Sequence, residues 1–146
     1  MDYNQEKIAM KLLHEGQTIE TVEMLLYEEN PESNEEVLIE LEGDNYKLKK
    51  SGDNFFSVLQ EIRKELEQKN IQLMCNGAAR NVYPSPMQMS MGSGRTAYLL
   101  KMMQTARIID IVDIFECDDS LEFVGVDEQD AHYQDWFESL GKRKNN

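Results

Sequence analysis

The segment that most constrains the fold lies in the middle of the chain, at residues 75–98, and reads CNGAARNVYPSPMQMSMGSGRTAY. Its glycines and prolines interrupt any long helix or strand, because glycine loosens the backbone and proline removes a hydrogen-bond donor. The stiff YPSP stretch at residues 83–86 argues against disorder. Long connections in compact domains are usually either functional or disordered. The segment therefore predicts an ordered loop that carries a binding surface. Met87, Met89 and Met91 then form an adaptable apolar face or, alternatively, fill the core beneath it.

Residues 1–30 show apolar residues at helical spacing on both sides of a glycine. These are Ile8, Ala9, Leu12 and Leu13 before the glycine, and Ile19, Val22, Leu25 and Leu26 after it. Spacings of three and four predict helices, and Gly16 is a typical helix stop. We therefore expect an N-terminal helical hairpin over residues 1–30, followed by an α+β core over residues 36–140 and a basic tail over residues 141–146.

The core mixes strand-like and helix-like patterns without regular alternation, which excludes a doubly wound parallel sheet. The first predicted elements are two strands joined by a tight turn at Gly43-Asp44, with outward glutamates opposite outward lysines, and then a helix capped by Asp53 and ended by Asn70. Strands are predicted at residues 71–75 and 95–103, and a short strand or turn at residues 108–119 carries Ile111, Ile114 and Phe115 inward. The last predicted element is a helix over residues 127–140 that stops at Gly141. The order predicts one α+β domain, with an antiparallel sheet of about four to five strands and helices packed on it.

The charge is distributed unevenly along the 146 residues, which carry a net charge of −13. Residues 1–44 hold 13 acids and 2 bases, residues 45–107 hold 4 acids and 10 bases, and residues 108–146 hold 11 acids and 3 bases. We expect the acidic ends to fold against the basic middle and partly neutralise it, with Arg80 and Arg95 as ion-pair partners. Because an acidic protein is repelled by nucleic acid and by anionic membranes, its charge suits a basic partner or, alternatively, serves only solubility.

Several kinds of site are not indicated by the residues. Two cysteines and two histidines without metal-ligand spacing predict neither a metal site nor a cofactor, and both thiols are expected to be reduced and buried. The glycines at residues 92–94 precede a strand, whereas phosphate loops lead into a helix. No membrane-length apolar run and no signal-peptide pattern are present, so we expect a cytoplasmic protein. An enzyme that uses the acids of residues 110–119 with a metal is a third, weaker hypothesis.

A longer pattern across residues 36–140 carries a resemblance to a known family. It consists of LMCNGAARNVYPSPMQMSMGSGRTAYLLKM, then IVDIFECDD, then DEQDAHYQDWFESL. The pattern resembles small bacterial immunity proteins, the partners of secreted toxin domains in contact-dependent growth inhibition and related polymorphic toxin systems. The resemblance implies a non-enzymatic protein that binds and blocks a cognate toxin, often a nuclease, and it allows a Whirly-like fold. The family-motif residues, as scaffold or contact, are Asn76, Gly77, Arg80, Tyr83, Pro84, Met87, Met91, Gly92, Gly94, Arg95 and Tyr98.

Dense carboxylates suit the basic cleft of a nuclease, because opposite charge steers association. The predicted partner-binding acids are Glu36, Glu40, Glu42, Asp110, Asp113, Glu116, Asp118 and Asp119. Phe115 and Trp136 are candidate aromatic anchors, with a place in the core as the alternative for each. The second functional hypothesis is a nucleic-acid or nucleotide binding module that uses the basic middle and the methionine and tyrosine loop. A homo-oligomer is compatible with either hypothesis.

Overall fold

The computed structural model describes residues 5–33 and 35–144, with side chains through residue 141. The elements in chain order are β1 (Gln5–His14), β2 (Thr18–Tyr27), β3 (Val37–Glu42), β4 (Lys47–Gly52), α1 (Phe55–Glu67), β5 (Ile71–Met74), β6 (Val82–Tyr83), α2 (Pro86–Met91), β7 (Thr96–Leu99), β8 (Ile111–Asp113) and α3 (Val126–Lys144). Short 3₁₀ helices at Asn76–Ala78 and Ile108–Asp110 lie in the connections.

The strands form two antiparallel sheets. The first sheet is curled and has the order β4-β3-β2-β1-β5, whereas the second has the order β6-β7-β8. β5 follows α1 in the chain and pairs with the second half of β1, so the polypeptide returns to the first sheet after the helix. The predicted α+β class and the antiparallel sheet of about four to five strands are confirmed.

The N-terminal segment is a β-hairpin, and the predicted helical hairpin over residues 1–30 is wrong. β1 and β2 pair antiparallel over their full length, from Gln5 opposite Tyr27 to His14 opposite Thr18. Both strands lie inside the first sheet instead of preceding it as a separate unit. The resulting architecture does not support a Whirly-like fold.

Two periodicities coexist in the hairpin sequence, and the helical one does not determine the structure. Met10 and Leu12 are buried, whereas Ala9 and Lys11 are exposed, which is the two-residue period of a strand. β1 bonds to both β2 and β5, and tertiary pairing of this kind overrides local helix preference. Gly16, predicted to stop a helix, instead adopts a φ of 70° in the hairpin turn.

α1 packs on the inner face of the first sheet and forms the core with it. The N-cap is Asn54, not the predicted Asp53, and its side chain accepts a hydrogen bond from the Ser57 amide at 3.0 Å. The predicted apolar face of the helix is fully buried, namely Phe55, Leu59, Ile62 and Leu66. β1, β2 and β3 supply the opposite wall through Met10, Leu12, Met24, Leu26, Ile39 and Leu41.

The predicted hairpin of β3 and β4 is confirmed, but residues 43–46 form a longer loop than the two-residue turn. The Gly43 amide donates to the Tyr46 carbonyl at 3.0 Å. A Cβ atom at Gly43 would fall 2.3 Å from the Tyr46 ring, so the ring requires glycine there. The predicted glutamate–lysine pairing holds for Glu42 and Lys47, whose charged atoms lie 3.7 Å apart.

The middle segment at residues 75–98 is ordered, as predicted, and carries α2. The Ser85 hydroxyl accepts from the Gln88 amide at 3.1 Å, and the Gln88 side chain accepts from the Ser85 amide at 2.8 Å. This reciprocal cap fixes the start of the helix. Because the methionines lie on a helix, they do not alternate as on a strand, and Met87 and Met91 point to solvent instead of filling the core.

The C-terminal helix is longer than predicted. α3 passes through Gly141, the predicted stop, and ends at Lys144, so most of the predicted basic tail is helical. In β8, Ile111 is exposed, contrary to prediction, whereas Ile114 and Phe115 are buried as predicted. No helix among the described residues is long and apolar enough to cross a membrane.

Candidate protein-binding surfaces

The ten basic residues within residues 45–107, the basic part of the chain, all contact other groups of the protein. Arg63 is buried, and the Lys69 ammonium lies 5.7 Å from the centre of the Tyr46 ring. The remaining eight lie within 3.8 Å of carboxylates and are Lys47, Lys49, Lys50, Lys64, Arg80, Arg95, Lys101 and Arg107. Most partner carboxylates come from the two acidic ends, which confirms the expected neutralisation of the middle by the ends.

Arg95 links the two sheets. Its Nη1 and Nη2 atoms bind the two oxygens of Glu6 in β1 at 2.6 and 3.0 Å, and its Nε binds Asp113 in β8 at 3.2 Å. The guanidinium also lies 5.5 Å from the centre of the Phe115 ring. Hydrogen bonding to Arg95 lowers the pKa of the Glu6 carboxyl below its ordinary value, although partial burial opposes this.

Arg80 makes a second clamp within the C-terminal half. Its Nε and Nη2 atoms bind the Glu122 carboxylate at 3.0 and 2.9 Å, and Nη2 also contacts Glu128 in α3. The hydrogen bond to Arg80 lowers the pKa of Glu122. Both predicted arginine partnerships are confirmed, and both motif arginines therefore serve the scaffold.

Two of the predicted partner-binding acids, Asp110 and Asp113, form ion pairs within the protein. Asp110 is buried and lies 3.3 Å from Lys101 and 3.5 Å from Arg107. Burial opposes its ionisation, but the hydrogen bond and charge of Lys101 and the proximity of Arg107 lower its pKa overall. Asp113 binds Arg95 and accepts from the Phe115 amide at 2.9 Å. Neither carboxylate is free for a partner.

The other acids of this stretch lie on an exposed turn. Asp118 accepts from the hydroxyl and the amide of Ser120, at 2.7 and 2.9 Å, and these bonds lower its pKa. Asp119 accepts from the Cys117 thiol at 3.3 Å. Glu116 is exposed and forms no ion pair among the described residues.

Motif residues at the start of the middle segment bind the following acidic turn. Asn76 donates to the Asp113 carbonyl at 3.1 Å and accepts from the Asp118 amide at 2.9 Å. Gly77 donates to the Ile114 carbonyl at 2.8 Å, and a Cβ atom there would lie 2.8 Å from Leu59 of α1. Close packing against α1 thus favours glycine at position 77, and Asn76 holds the acidic turn by hydrogen bonds.

The glycines at the end of the middle segment also have structural roles. Gly92 caps the C-terminus of α2. Gly94 has a φ of 72°, and a Cβ atom there would lie 2.6 Å from the Asn54 side chain that caps α1. The segment therefore acts as a brace for the start of α1, not as a phosphate loop.

A buried polar network connects α1 to α3, and the sequence patterns did not reveal it. The Arg63 guanidinium donates to Gln129 Oε1 at 2.5 Å, to the Val124 carbonyl at 2.8 Å and to the Gly77 carbonyl at 3.1 Å. The Gln129 amide donates to the carbonyls of Gly77, Ala79 and Val82 at 2.8, 2.9 and 3.0 Å. The only sequence signal was an arginine beside Ile62 on an otherwise apolar helix face.

The connection between β2 and β3, residues 28–36, is an ordered and strongly acidic loop, termed the acidic loop below; its residue 34 lies outside the described residues. Asn30, which is buried, accepts from the Glu32 amide at 3.0 Å and donates its own amide to the Glu36 carbonyl at 2.8 Å. Glu32 lies 3.6 Å from Lys49. The other glutamates form no ion pair within the described part of the chain and are Glu28, Glu29, Glu35 and Glu36.

The outer face of the first sheet carries lysines as well as glutamates, unlike the acidic loop. Glu40 and Glu42 point away from the core, as predicted, and Glu23 of β2 lies directly opposite Glu42. Lys47 and Lys49 occupy the next positions across on β4. Glu23 was missed because β2 was predicted to be helical. The predicted acids therefore divide between β3 with the residue before it and the stretch from Asp110 to Asp119, and no described hydrogen bond or ion pair joins the two groups.

An apolar groove lies beside α3 and is termed the aromatic groove below. It encloses about 170 Å³. The Tyr83 and Tyr133 rings stack at 4.2 Å between centres. The groove is lined in part by the motif residues Tyr83, Pro84 and Tyr98 and by Trp136, Phe137 and Leu140 of α3.

The polar atoms of these rings are mostly bonded inside the protein. Tyr83 donates to Asp130 at 2.9 Å, and burial together with this hydrogen bond raises the pKa of Tyr83 to about 12. Trp136 Nε1 donates to the Gln104 carbonyl at 2.9 Å. Trp136 and Phe115 are both buried, which agrees with the alternative of a place in the core and not with an exposed aromatic anchor.

Exposed apolar side chains are concentrated in the C-terminal half of the sequence. Of the nine large exposed apolar side chains among the described residues, eight lie between residues 87 and 137, and Ile19 is the ninth. The eight are Met87, Met91, Met102, Met103, Ile108, Ile109, Ile111 and Phe137. Exposed apolar residues gathered in one region are typical of protein-interaction surfaces.

The two cysteines are free and differ in environment. Cys75 is buried, and burial raises its pKa to about 11, whereas Cys117 is exposed, contrary to the prediction of two buried thiols. Among the described residues, no group of three or more histidine, cysteine or acidic side chains is placed to hold a metal ion.

Comparison with protein-family models returns no match, and no curated protein matches the chain.

Proposed function

We propose that this protein is a non-enzymatic, cytoplasmic immunity protein that binds and neutralises a basic toxin domain, most simply a nuclease. The proposal rests on one observation, the ordered acidic loop with four glutamates that form no ion pair within the described residues. The pattern across residues 36–140, which resembles immunity proteins of polymorphic toxin systems, favours the same function.

The loop geometry supports a preformed binding element. Like charges held together repel one another, so a loop of this composition would spread apart unless its backbone were fixed. Asn30 fixes it through hydrogen bonds to Glu32 and Glu36. A backbone fixed in this way loses little conformational freedom on binding, and the carboxylates it carries attract the phosphate-binding cleft of a nuclease. Glu40 extends the negative charge onto the adjoining strand.

Nucleic-acid binding is weakened as an alternative. Binding of phosphates needs free cations on one face. The ten bases of residues 45–107 are instead paired with carboxylates, buried or placed over an aromatic ring. No described feature favours the metal-dependent enzyme either. The immunity function therefore stands as the single proposal.

The test begins with the toxin candidate encoded immediately upstream. Its C-terminal domain is co-expressed with this protein, and growth rescue is scored together with binding of the purified pair. The informative variant is Glu28→Gln/Glu29→Gln/Glu35→Gln, which removes three loop charges without changing side-chain size. The matched control is Asp127→Asn/Asp135→Asn/Glu138→Gln, which changes the net charge equally at exposed positions of α3.

The loop variant should associate at least about tenfold more slowly at low salt, because electrostatic steering is lost. The control should retain rescue and most of the association rate. Equal losses in both variants would show that only net charge matters. A harmless upstream product, or a toxic one that is neither bound nor rescued, would refute the immunity function.

A further inference from the structure

We propose that the open edge of β1 binds an extended segment of a partner protein that carries carboxylates at alternate positions, and that this segment adds antiparallel to the first sheet. The inference goes beyond the immunity function and does not rest on it, because it concerns a different element and an acidic partner. Two observations carry it, a row of unpaired backbone groups and two lysines without carboxylate partners.

One side of β1 is paired over its full length, whereas the other is paired over less than half. β2 covers all ten residues on one side, but β5 covers only the last four on the other. In the register of β5, Asn76 would face Ala9, but its amide donates to the Glu116 carbonyl instead, at 2.7 Å. The polypeptide therefore leaves β1 at this point, and residues 5–10 form an open edge, termed the β1 edge below.

The alternation of an antiparallel ladder identifies the unpaired groups of the β1 edge. On the side of β5, the Glu15 amide donates to the Asn70 carbonyl at 2.8 Å. Hydrogen-bonded pairs recur at every second residue, so the odd-numbered residues of β1 turn their backbone groups to this side. Gln5, Lys7 and Ala9 each have an amide and a carbonyl there that bond to no described group. An extended peptide is the structure that pairs with such a row.

Two free cations lie along the same strand. Lys7 and Lys11 are exposed, with the small exposed Ala9 between them, and neither contacts a described carboxylate. Glu23 of β2 lies diagonally from both lysines but forms an ion pair with neither. Among the other bases whose side chains are described, each contacts a carboxylate, an aromatic ring or buried carbonyls. Charges beyond about 8 Å are largely screened at physiological ionic strength, so these lysines dominate the field at the β1 edge.

The two lysines determine the chemistry of the added strand. A residue directly opposite Lys7 has its Cβ about 5 Å away, and a residue opposite Ala9 lies diagonally from both lysines. Carboxylates at these two positions, two residues apart in the partner, therefore face both cations. The residue between them points to the other face of the sheet, beside the half-buried Ile8, and is expected to be apolar.

The same charges oppose pairing with a second copy of this chain. A twofold pairing that uses all three unpaired residues places Lys7 opposite the same lysine of the other copy. Like charges directly opposite each other are destabilising. A lysine on an exposed edge is a common means of preventing self-association of sheets. The β1 edge thus favours a different, acidic polypeptide.

Amide hydrogen exchange of the free protein tests whether the edge is open. The amides of Lys7 and Ala9 should exchange at least about tenfold faster than those of Ile8 and Met10, which face β2. Equal protection of all four amides would show that the edge is already covered, and would overturn the inference.

A synthetic peptide then tests the occupant. The probe is the acetylated and amidated hexapeptide Thr-Glu-Val-Glu-Val-Thr, added to isotope-labelled protein up to millimolar concentration and followed by NMR. Its signal changes should be largest at the amides of Gln5, Lys7 and Ala9, and exchange of these amides should slow. The control peptide Thr-Lys-Val-Lys-Val-Thr has the same backbone and spacing. It should bind at least about tenfold more weakly, a difference of 1.4 kcal/mol.

Variants of the protein separate the charge from the backbone. Lys7→Gln/Lys11→Gln should raise the Kd of the acidic peptide several-fold. Its matched control, Lys47→Gln/Lys49→Gln, changes the net charge equally on the opposite edge strand, β4, and should leave the Kd unchanged.

Ala9→Pro removes an amide that faces the open edge and not β2, so it should abolish binding while keeping the fold. Circular dichroism and thermal unfolding check the fold of each variant. If Ala9→Pro fails to fold, the lysine variants and the two peptides decide in its place.

Each outcome decides the inference. The absence of signal changes at the β1 edge with the acidic peptide overturns it, and so does equal affinity for the two peptides. Equal losses in Lys7→Gln/Lys11→Gln and in its control would show that only net charge matters, and would also overturn it. None of these measurements includes the toxin, so their failure leaves the immunity function to its own test.

Discussion

Among single residues, Arg63 and Gln129 form the buried hydrogen-bond network that connects α1 to α3. A buried guanidinium is costly unless its donors find acceptors. Gln129 supplies one acceptor and, through its amide, also binds three backbone carbonyls. One glutamine thus fixes the positions of Gly77, Ala79 and Val82 relative to α1. The aromatic groove begins one residue later, at Tyr83.

Replacing this glutamine should be severe. Gln129→Leu keeps the approximate volume but removes one buried acceptor of Arg63 and one donor to each of three backbone carbonyls. We expect the free energy of unfolding, measured by urea titration, to fall by about 3–5 kcal/mol. Gln134→Leu on the exposed face of the same helix should change it by less than about 0.5 kcal/mol. A loss below about 1 kcal/mol at position 129 would mean that the network contributes little.

Among the secondary-structure elements, the two glycines with free space around them should respond in opposite directions. A Cβ atom at Gly16 or Gly141 would meet nothing within 4 Å, so only backbone conformation matters. Gly16 has a φ of 70°, and Gly16→Ala should cost about 1 kcal/mol. Gly141 lies within α3, and Gly141→Ala should stabilise by about 0.5–1 kcal/mol.

The measurement is urea unfolding of both variants beside the wild type. Gly16→Asn provides a control, because asparagine tolerates positive φ better than alanine, and it should restore part of the lost stability. If Gly16→Ala were neutral or stabilising, the turn of the first hairpin would differ from the one described here.

The same elements show which features local patterns can predict. β3, β4, α1 and β5 were predictable, because each has one dominant period and a clear turn or cap nearby. β1 and β2 were not, since their apolar residues fit helical spacing as well as alternation, and only pairing inside the sheet decides between them. Gln129 and the aromatic groove depend on residues that are distant in sequence, and no local pattern encodes that proximity.

On the scale of the whole molecule, Arg95 joins the first and last thirds of the chain. It binds Glu6 in β1 and Asp113 in β8, so one side chain holds the two sheets together. Arg95→Met should lower the free energy of unfolding at neutral pH by about 1–2 kcal/mol, since the pairs are only partly exposed. Lys50→Met, which removes the exposed pair of Lys50 with Glu65, should cost less.

The clamp should also show in the pH dependence. Hydrogen bonding to Arg95 lowers the pKa of Glu6 in the folded protein. Its contribution is therefore present above the unfolded pKa, ordinarily 4.5, and is lost as the pH falls through the lower folded value. The free energy of unfolding, measured from pH 7 to pH 3, should fall less with acidification in Arg95→Met than in the wild type. An unchanged acid profile would contradict this linkage.

The network around Gln129 has a consequence for how the protein is made. Arg63 enters the growing polypeptide long before Gln129, and domains acquire structure from the N-terminal end as they are synthesised. Until α3 has emerged, the Arg63 guanidinium lacks its Gln129 acceptor. Water is then the alternative hydrogen-bond partner of this buried charge. A nascent polypeptide can complete the first sheet, but the second layer must wait for the helix. Premature termination before residue 126 should therefore yield products that proteases remove, because Arg63 would be left without Gln129.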